Sequence, residues 1–188
     1  DRLRSRGLGD VYKRQAQGVK NQVLDALKAA SEFYTRNLLL DKTSKGYQYI
    51  QKRGFDDSVI NRYKLGLAPN SYDALQNNLK KDFPLDILDK AGLVIKRDSG
   101  SGYVDRFRNR LIISIFDEKG NVVAFGARAI EEGQTPKYLN SPETIAYNKS
   151  QVLYGLYHAK DSIKKEDAVI IMEGYFDVIS AQTNGVEN

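Results

Sequence analysis

No cysteine occurs anywhere in the 188 residues, so neither a disulfide framework nor a thiolate zinc site can be drawn from this sequence. That absence agrees with a reducing, cytoplasmic setting. Only one histidine, His158, is present, which argues against a histidine-based metal centre and leaves His158 as a surface or half-buried residue of a helix. No apolar run approaches the roughly 20 residues of a membrane-spanning helix and no signal-peptide core is visible, so no membrane partner is expected. A large excess of one charge is missing too. The net charge is +5, and residues 1–15 supply +3 of it through Arg2, Arg4, Arg6, Lys13 and Arg14 against Asp1 and Asp10. That leader lacks apolar periodicity, and Asp10 to Gln15 looks like the translation of a transposon-end adaptor used in sequencing libraries. It is set aside as a non-native leader; a native basic arm is the alternative.

What is present suits one domain, or one and a part, with enough apolar residues for a core. From Asn21 the residues Val23, Leu24, Leu27, Ala30, Phe33, Tyr34 and Leu38 recur at helical steps. Thr43 and Ser44 cap a second expected helix that Gly54 stops, and Asp56, Asp57 and Ser58 cap a third. Leu65 to Ala68 reads as a short extended piece. Ser71 is expected to cap a helix through Leu79, Pro84 opens one over 85–90 that stops at Gly92, and Leu93 to Ile95 reads as a strand. Asp98 to Gly102 has nothing apolar to hold it and reads as a flexible loop. Leu111 to Phe116, a turn over 117–121 and a return over 122–128 form a β-hairpin. Val152 to Ile163 is an amphipathic helix. Ala168 to Met172, five apolar residues in a row, suits a strand buried on both faces of a parallel sheet, and Gly174 turns the chain into a helix from Tyr175 to Thr183 with Phe176 and Ile179 inward.

Three stretches carry chemistry. Arg106, Arg108 and Arg110 alternate with Phe107 and Asn109, so in an extended segment their guanidinium groups share one face and suit a phosphate backbone; a solvated, charged sheet face is the alternative. Thr135 to Pro142 places Lys137, Tyr138 and Asn140 between two prolines, a cation, a ring and an amide that match phosphate, base face and base edge or sugar. Tyr147, Asn148 and Lys149 extend it, and an ordinary rigid connector is the competing reading. Glu173 stands at the carboxyl end of the last expected strand, where open α/β sheets bind ligands. Its other reading is a carboxylate that favours the start of the next helix.

The run Glu173-Gly174-Tyr175-Phe176-Asp177-Val178 resembles the first motif of the TOPRIM domain of bacterial DNA primases of the DnaG type. Upstream, Arg106-Phe107-Arg108-Asn109-Arg110, Phe125-Gly126-Ala127-Arg128, Pro136 to Thr144 and Leu153-Tyr154-Gly155-Leu156-Tyr157 occur in the order and rough spacing of the primase core. The resemblance covers about Val19 to the end. It implies an α/β fold: a mixed α+β basic subdomain over 16–165, followed by the first strand-helix unit of a TOPRIM domain over 166–188. It also implies a nucleotidyltransferase that synthesises short RNA primers on single-stranded DNA from nucleoside triphosphates during replication.

In that family the matching glutamate serves catalysis and metal chemistry, so Glu173 is the expected catalytic residue and ligand of Mg2+ or Mn2+, with Asp177 a secondary candidate. Arg53, Arg128, Lys137, Tyr138, Asn140 and Lys149 match positions that line the template and nucleotide groove, and Arg106, Arg108 and Arg110 would add backbone attraction. Without the family, Arg53 reads as a helix-end cation complementing the dipole. The implied partners are the single-stranded DNA template, the RNA primer, nucleoside triphosphates and, through a carboxyl-terminal region, the replicative helicase. The implied location is the cytoplasm, at the nucleoid during replication. The pattern departs from complete primases at both ends: the paired aspartates of a later TOPRIM strand do not occur before Asn188, and the zinc-binding domain, where zinc would sit, has no cysteines here. The expectation is therefore a fragment with an incomplete metal site, inactive alone. A non-catalytic module for single-stranded nucleic acid is the alternative, and a topoisomerase or nuclease sharing only TOPRIM is another, although it leaves the Pro136 to Thr144 loop unexplained.

Overall fold

The computed structural model describes residues 2–97 and 100–188, with side chains from Gln15 onward within them. Helix α1 (Arg2–Leu40) carries Val23, Ala26, Leu27, Ala30, Phe33, Tyr34 and Leu38 on one buried stripe. It starts well before the apolar pattern at Asn21, because a helix already fixed by packing extends at little further cost. The side chains of residues 1–14, on which the leader reading rests, lie outside the described residues. Two short helices follow, α2 (Lys45–Lys52) and α3 (Asp57–Tyr63), each with the expected cap. The Ser44 side chain accepts from the Tyr47 amide, and Asp56 accepts from the Ser58 and Val59 amides. The Ser58 hydroxyl and these amides hold the Asp56 carboxyl below the ordinary carboxylate range.

The chain then enters a four-stranded sheet built from β1 (Leu65–Ala68), β4 (Arg110–Phe116), β5 (Val122–Ala129) and β6 (Tyr138–Asn140), in that order and antiparallel throughout. The expected hairpin is its centre. Asp117 closes the turn by accepting from the Lys119 and Asn121 amides. Between β1 and β4, helices α4 (Ala74–Leu79) and α5 (Leu85–Lys90) lead to a separate ribbon of β2 (Val94–Lys96) and β3 (Tyr103–Asp105). Asp98 and Ser99, from the expected loop in that ribbon, lie outside the described residues. After β6 come a 3-10 turn (Lys149–Gln151), α6 (Leu156–Glu166) and α7 (Tyr175–Thr183).

Helix α1 covers one face of the sheet. Its backbone comes so near β1 that a Cβ on Gly66 would fall 2.5 Å from the Cβ of Tyr34 and 2.7 Å from its carbonyl carbon, so only glycine admits the helix there. Ile112, Phe125 and Ala127 pack beneath α1, and the Tyr34 ring meets Phe125 edge-on at 5.6 Å. Ser114, buried in this layer, has its hydroxyl satisfied: Ser114 Oγ lies 2.9 Å from Ser31 Oγ and donates to the Lys64 carbonyl. Leu111 and Ile113, on the other face, pack with residues of α2, α3 and α7.

Several expectations are corrected. Ala168 to Met172 forms no strand: Val169, Ile170 and Ile171 are about half exposed or more, and the only backbone bond recorded for the run is from the Ile170 amide to the Asn188 carbonyl. An apolar run becomes a buried parallel strand only with ladder neighbours on its flanks, and none lies beside it among the described residues. Helix α6 begins at Leu156, not Val152, because Gly155 takes φ +82° immediately before it. Ser71 does not cap α4. That role falls to Asp105 in β3, which accepts from the Leu75 amide at 2.7 Å and the Gln76 amide at 3.1 Å. Burial pushes the Asp105 carboxyl up while those two donors pull it back. His158 is a half-buried helix residue as expected, with its ring 4.6 Å from that of Tyr63 and its pKa lowered by burial to about 4.

The remote cap yields a stability test. Asp105→Ala should lower the unfolding free energy in urea by roughly 1–2 kcal/mol, whereas Ser71→Ala should stay within about 0.5 kcal/mol of the parent. Equal losses would mean that Asp105 does not hold the start of α4.

Candidate nucleic-acid interface

The register of β5 and β6 brings three of the candidate residues together. Arg128 pairs with Tyr138 and Gly126 with Asn140, and because neighbours across a ladder share a face, these four positions lie on one side of the sheet. It is the side away from α1, since Ala127 and Leu139, one step out of phase, pack into the core under α1. Tyr138 and Asn140 are exposed there, β6 being the sheet edge.

Gly126 makes room for a ring. A Cβ on it would stand 2.7 Å from the ring of Tyr175, so the first residue of α7 lies against bare backbone. The Tyr175 hydroxyl donates to Asn140 Oδ1 at 3.1 Å, and its ring meets Tyr154 edge-on at 4.8 Å. Burial, with Tyr147 and Tyr138 nearby, pushes the Tyr175 phenol up to about 12. The helix that follows Glu173 is thereby registered onto the face that carries Arg128 and Tyr138.

Arg128 and Arg53 meet at an aromatic ring. The Arg128 guanidinium lies 4.0 Å from the Tyr49 ring centre, and its Nη1 donates to the Ala129 carbonyl. Arg53, just after α2, donates through Nε to the Tyr49 hydroxyl at 2.7 Å and lies 5.0 Å from that ring and 4.7 Å from Phe176. Each such contact contributes about 0.5–2 kcal/mol without neutralising the cation. The i, i+4 spacing of Tyr49 and Arg53 on one helix was a signal for the pair; nothing local linked either to Arg128.

Arg106, Arg108 and Arg110 do not form a row on an extended strand. Asn109 takes φ +51° and breaks the alternation just before β4, yet all three arginines line one cleft of 620 Å³. Arg110 is buried, donating to the Pro136 and Thr135 carbonyls, so it pins the loop leading to Lys137. Arg108 stacks on Tyr72 at 4.9 Å and donates to the Asp105 carbonyl. Arg106 donates to the Asn140 carbonyl at 3.1 Å. Burial pulls the Arg106 and Arg110 guanidinium groups below their usual range, Arg108 adding to the effect at Arg110, although a guanidinium keeps its proton. Glu131 and Glu132 share the cleft, so its charge is mixed. By register Arg110 is opposite Ala129 while Leu111 is opposite Arg128, which puts Arg110 and Arg128 on opposite sides of the sheet. Seven of the nine cationic and polar candidates thus fall into two groups, Arg53, Arg128, Tyr138 and Asn140 on one side of the sheet and Arg106, Arg108 and Arg110 in the cleft. Lys137 and Lys149 are exposed, the latter in the 3-10 turn with its amide directed at Glu143.

Glu173 and Asp177 are both exposed at the start of α7. Asp177 turns back over Gly174, where a Cβ would stand 2.6 Å from its Oδ2. As oxygen donors open to solvent they suit a hard divalent cation that completes its shell with water and phosphate. No group of three or more His, Cys, Asp or Glu side chains gathers for a metal among the described residues, so these two could supply only part of a site. No helix is long and apolar enough to cross a membrane among those residues.

The family model for the N-terminal domain of the DNA primase catalytic core matches residues 33–160. A DNA primase from Synechococcus elongatus is 40% identical over 172 residues, which cover 90% of this chain and 25% of that protein. The crystal structure of the RNA polymerase domain of Mycobacterium tuberculosis primase DnaG superposes with a TM-score of 0.83 at 36% identity, over 89% of this chain and 54% of that one. A DnaG primase catalytic domain bound to ssDNA gives a TM-score of 0.81 at 32% identity, over 91% and 53%. The chain thus spans 25% of the curated relative and about half of the solved cores.

Seating Tyr175 on Gly126 predicts a spectroscopic outcome. In NMR titration with ring-labelled tyrosine, the Tyr175 phenol should ionise near 12, and in Gly126→Val, which closes the seat, it should move back toward the ordinary value of about 10. An unchanged Tyr175 titration in Gly126→Val would show that the seat does not hold the ring.

Proposed function

The chain belongs to the bacterial DNA primases of the DnaG type, and from that membership we propose that it forms the template- and nucleotide-holding part of an enzyme that synthesises short RNA primers on single-stranded DNA. The observation that carries this reading is one sheet face bearing Arg128, Tyr138 and Asn140 in register, with Arg53 stacked beside it and α7 seated on it through Tyr175. The solved DnaG catalytic domain bound to ssDNA supports the choice of polymer.

Each side chain has a defined task in this reading. Arg53, Arg128, Lys137 and Lys149 attract phosphates, and Tyr138, exposed on the edge strand, takes a base against its ring. Asn140 gives its Oδ1 to Tyr175, which leaves its amide N–H groups for a base edge or sugar. Arg106 and Arg108 add attraction from the neighbouring cleft, while Arg110 fixes the loop before Lys137. Glu173, with Asp177 one turn on, holds part of the shell of a Mg2+ or Mn2+ ion, which when bound offsets charge on the reacting phosphate. The partners of the whole enzyme are the DNA template, the growing RNA, nucleoside triphosphates and the replicative helicase, the last engaged through a region outside this chain. Its setting is the cytoplasm, at the nucleoid during replication. The division near residue 165 between a basic subdomain and the start of a TOPRIM unit is part of the same proposal.

In the complete enzyme, Glu173→Gln should abolish primer synthesis and leave affinity for single-stranded DNA unchanged or slightly higher, because it removes a charge that repels phosphate. Extension assays beside anisotropy binding check both. Near-normal synthesis would return Glu173 to the role of a carboxylate that favours the start of α7.

A further inference from the structure

We propose that Tyr49 is a positioning residue that sets Arg53 and Arg128 as a two-pronged clamp for the phosphates of one strand. The inference rests on the reading of these arginines as phosphate contacts and concerns how they are held. They come from different elements, Arg53 from the end of α2 and Arg128 from β5. Two like charges brought side by side repel, and long side chains lose rotamer entropy when fixed. Tyr49 counters both costs through different atoms. Its π system faces Arg128 at 4.0 Å, while its hydroxyl accepts from Arg53 Nε at 2.7 Å.

The other contacts of the two arginines leave donors free. Arg128 uses Nη1 alone in its recorded hydrogen bond, to the Ala129 carbonyl; Arg53 is exposed and uses Nε alone in its recorded hydrogen bond. A carboxylate would hold the arginines as firmly and would cancel the charge that phosphate needs. The ring orders the forks and leaves that charge in place. Tyr49 is itself half-buried, edge-on to Phe176 at 5.5 Å, so the clamp shares a support with the helix that follows Glu173.

The test is anisotropy of a labelled oligothymidylate titrated with this chain over a salt series, for the parent, Tyr49→Leu, Tyr49→Phe, Arg128→Ala and the Tyr49→Leu, Arg128→Ala double variant. Tyr49→Leu keeps apolar volume and removes the π face and hydroxyl. It should lower the slope of log affinity against log salt by roughly 0.7 to 1.4, one or two phosphate contacts. Adding Arg128→Ala should then change little, because the contact is already lost. Tyr49→Phe keeps the ring, so its slope should recover the Arg128 share. If Tyr49→Leu does not fold, Tyr49→Met, also without a π face, replaces it. A parental slope in the leucine or methionine variant, or losses that add fully with Arg128→Ala, would overturn the positioning role. If Arg128→Ala alone leaves affinity and slope at parental values, the reading of the interface fails; if it lowers the slope while Tyr49→Leu does not, that reading stands and Tyr49 is not its support.

Discussion

The sheet is approached closely from both sides at positions without a side chain, and the rest of the molecule depends on that. Gly66 lets the α1 backbone rest on β1, and Gly126 lets the Tyr175 ring rest on β5. The first contact fixes the main core, where α1 covers Ile112, Phe125 and Ala127. The second decides where α7 begins and therefore where Glu173 and Asp177 stand. A methyl group at Gly126 would meet the ring at 2.7 Å, well inside van der Waals contact. The start of α7 is thus seated on the Arg128 face through this contact and not through a shared strand.

The candidate cations are held in a manner that leaves them charged. The ion pairs among the described residues use Lys42, Lys45, Arg62 and Lys90, and none of the nine interface candidates takes part. Arg53, Arg108 and Arg128 lie against tyrosine rings, and Arg106 and Arg110 donate to backbone carbonyls. Carbonyls and rings order a guanidinium without cancelling it, so its field remains available to a polyanion. The arginines also differ in what remains free. Arg110 is buried on the loop it pins, whereas Arg53 stays exposed, and Glu131 and Glu132 share the cleft of Arg106, Arg108 and Arg110 and offset part of its positive charge.

Much of the fold was legible because it is local. The caps at Ser44 and Asp56, the stop at Gly54, the Asp117 turn and the hairpin each rest on a few neighbouring residues. The family motifs gathered the candidate residues but not their arrangement: β-sheet register, not sequence order, separates Arg110 from Arg128. What stayed hidden was distant in sequence. The cap of α4 comes from Asp105, thirty residues from Leu75, and the partner of Gly126 lies in α7. The run from Ala168 to Met172 departs from the expected strand for a different reason. Apolar composition states what a segment would bury, not whether neighbours are present to bury it, and here Ile171 remains mostly exposed.

The central claim is that one sheet face, and not the leader or the opposite side, receives single-stranded nucleic acid. Chemical-shift mapping of this chain by two-dimensional NMR, as an unlabelled oligothymidylate is titrated in, tests it most directly. The structure predicts a contiguous set of perturbed resonances at Tyr49, Arg53, Arg128, Lys137, Tyr138, Asn140 and Tyr175, with those of α1 beneath the sheet unmoved. Perturbations confined to residues 1–15, or spread over the α1 side while Arg128 and Tyr138 stay unchanged, would contradict it.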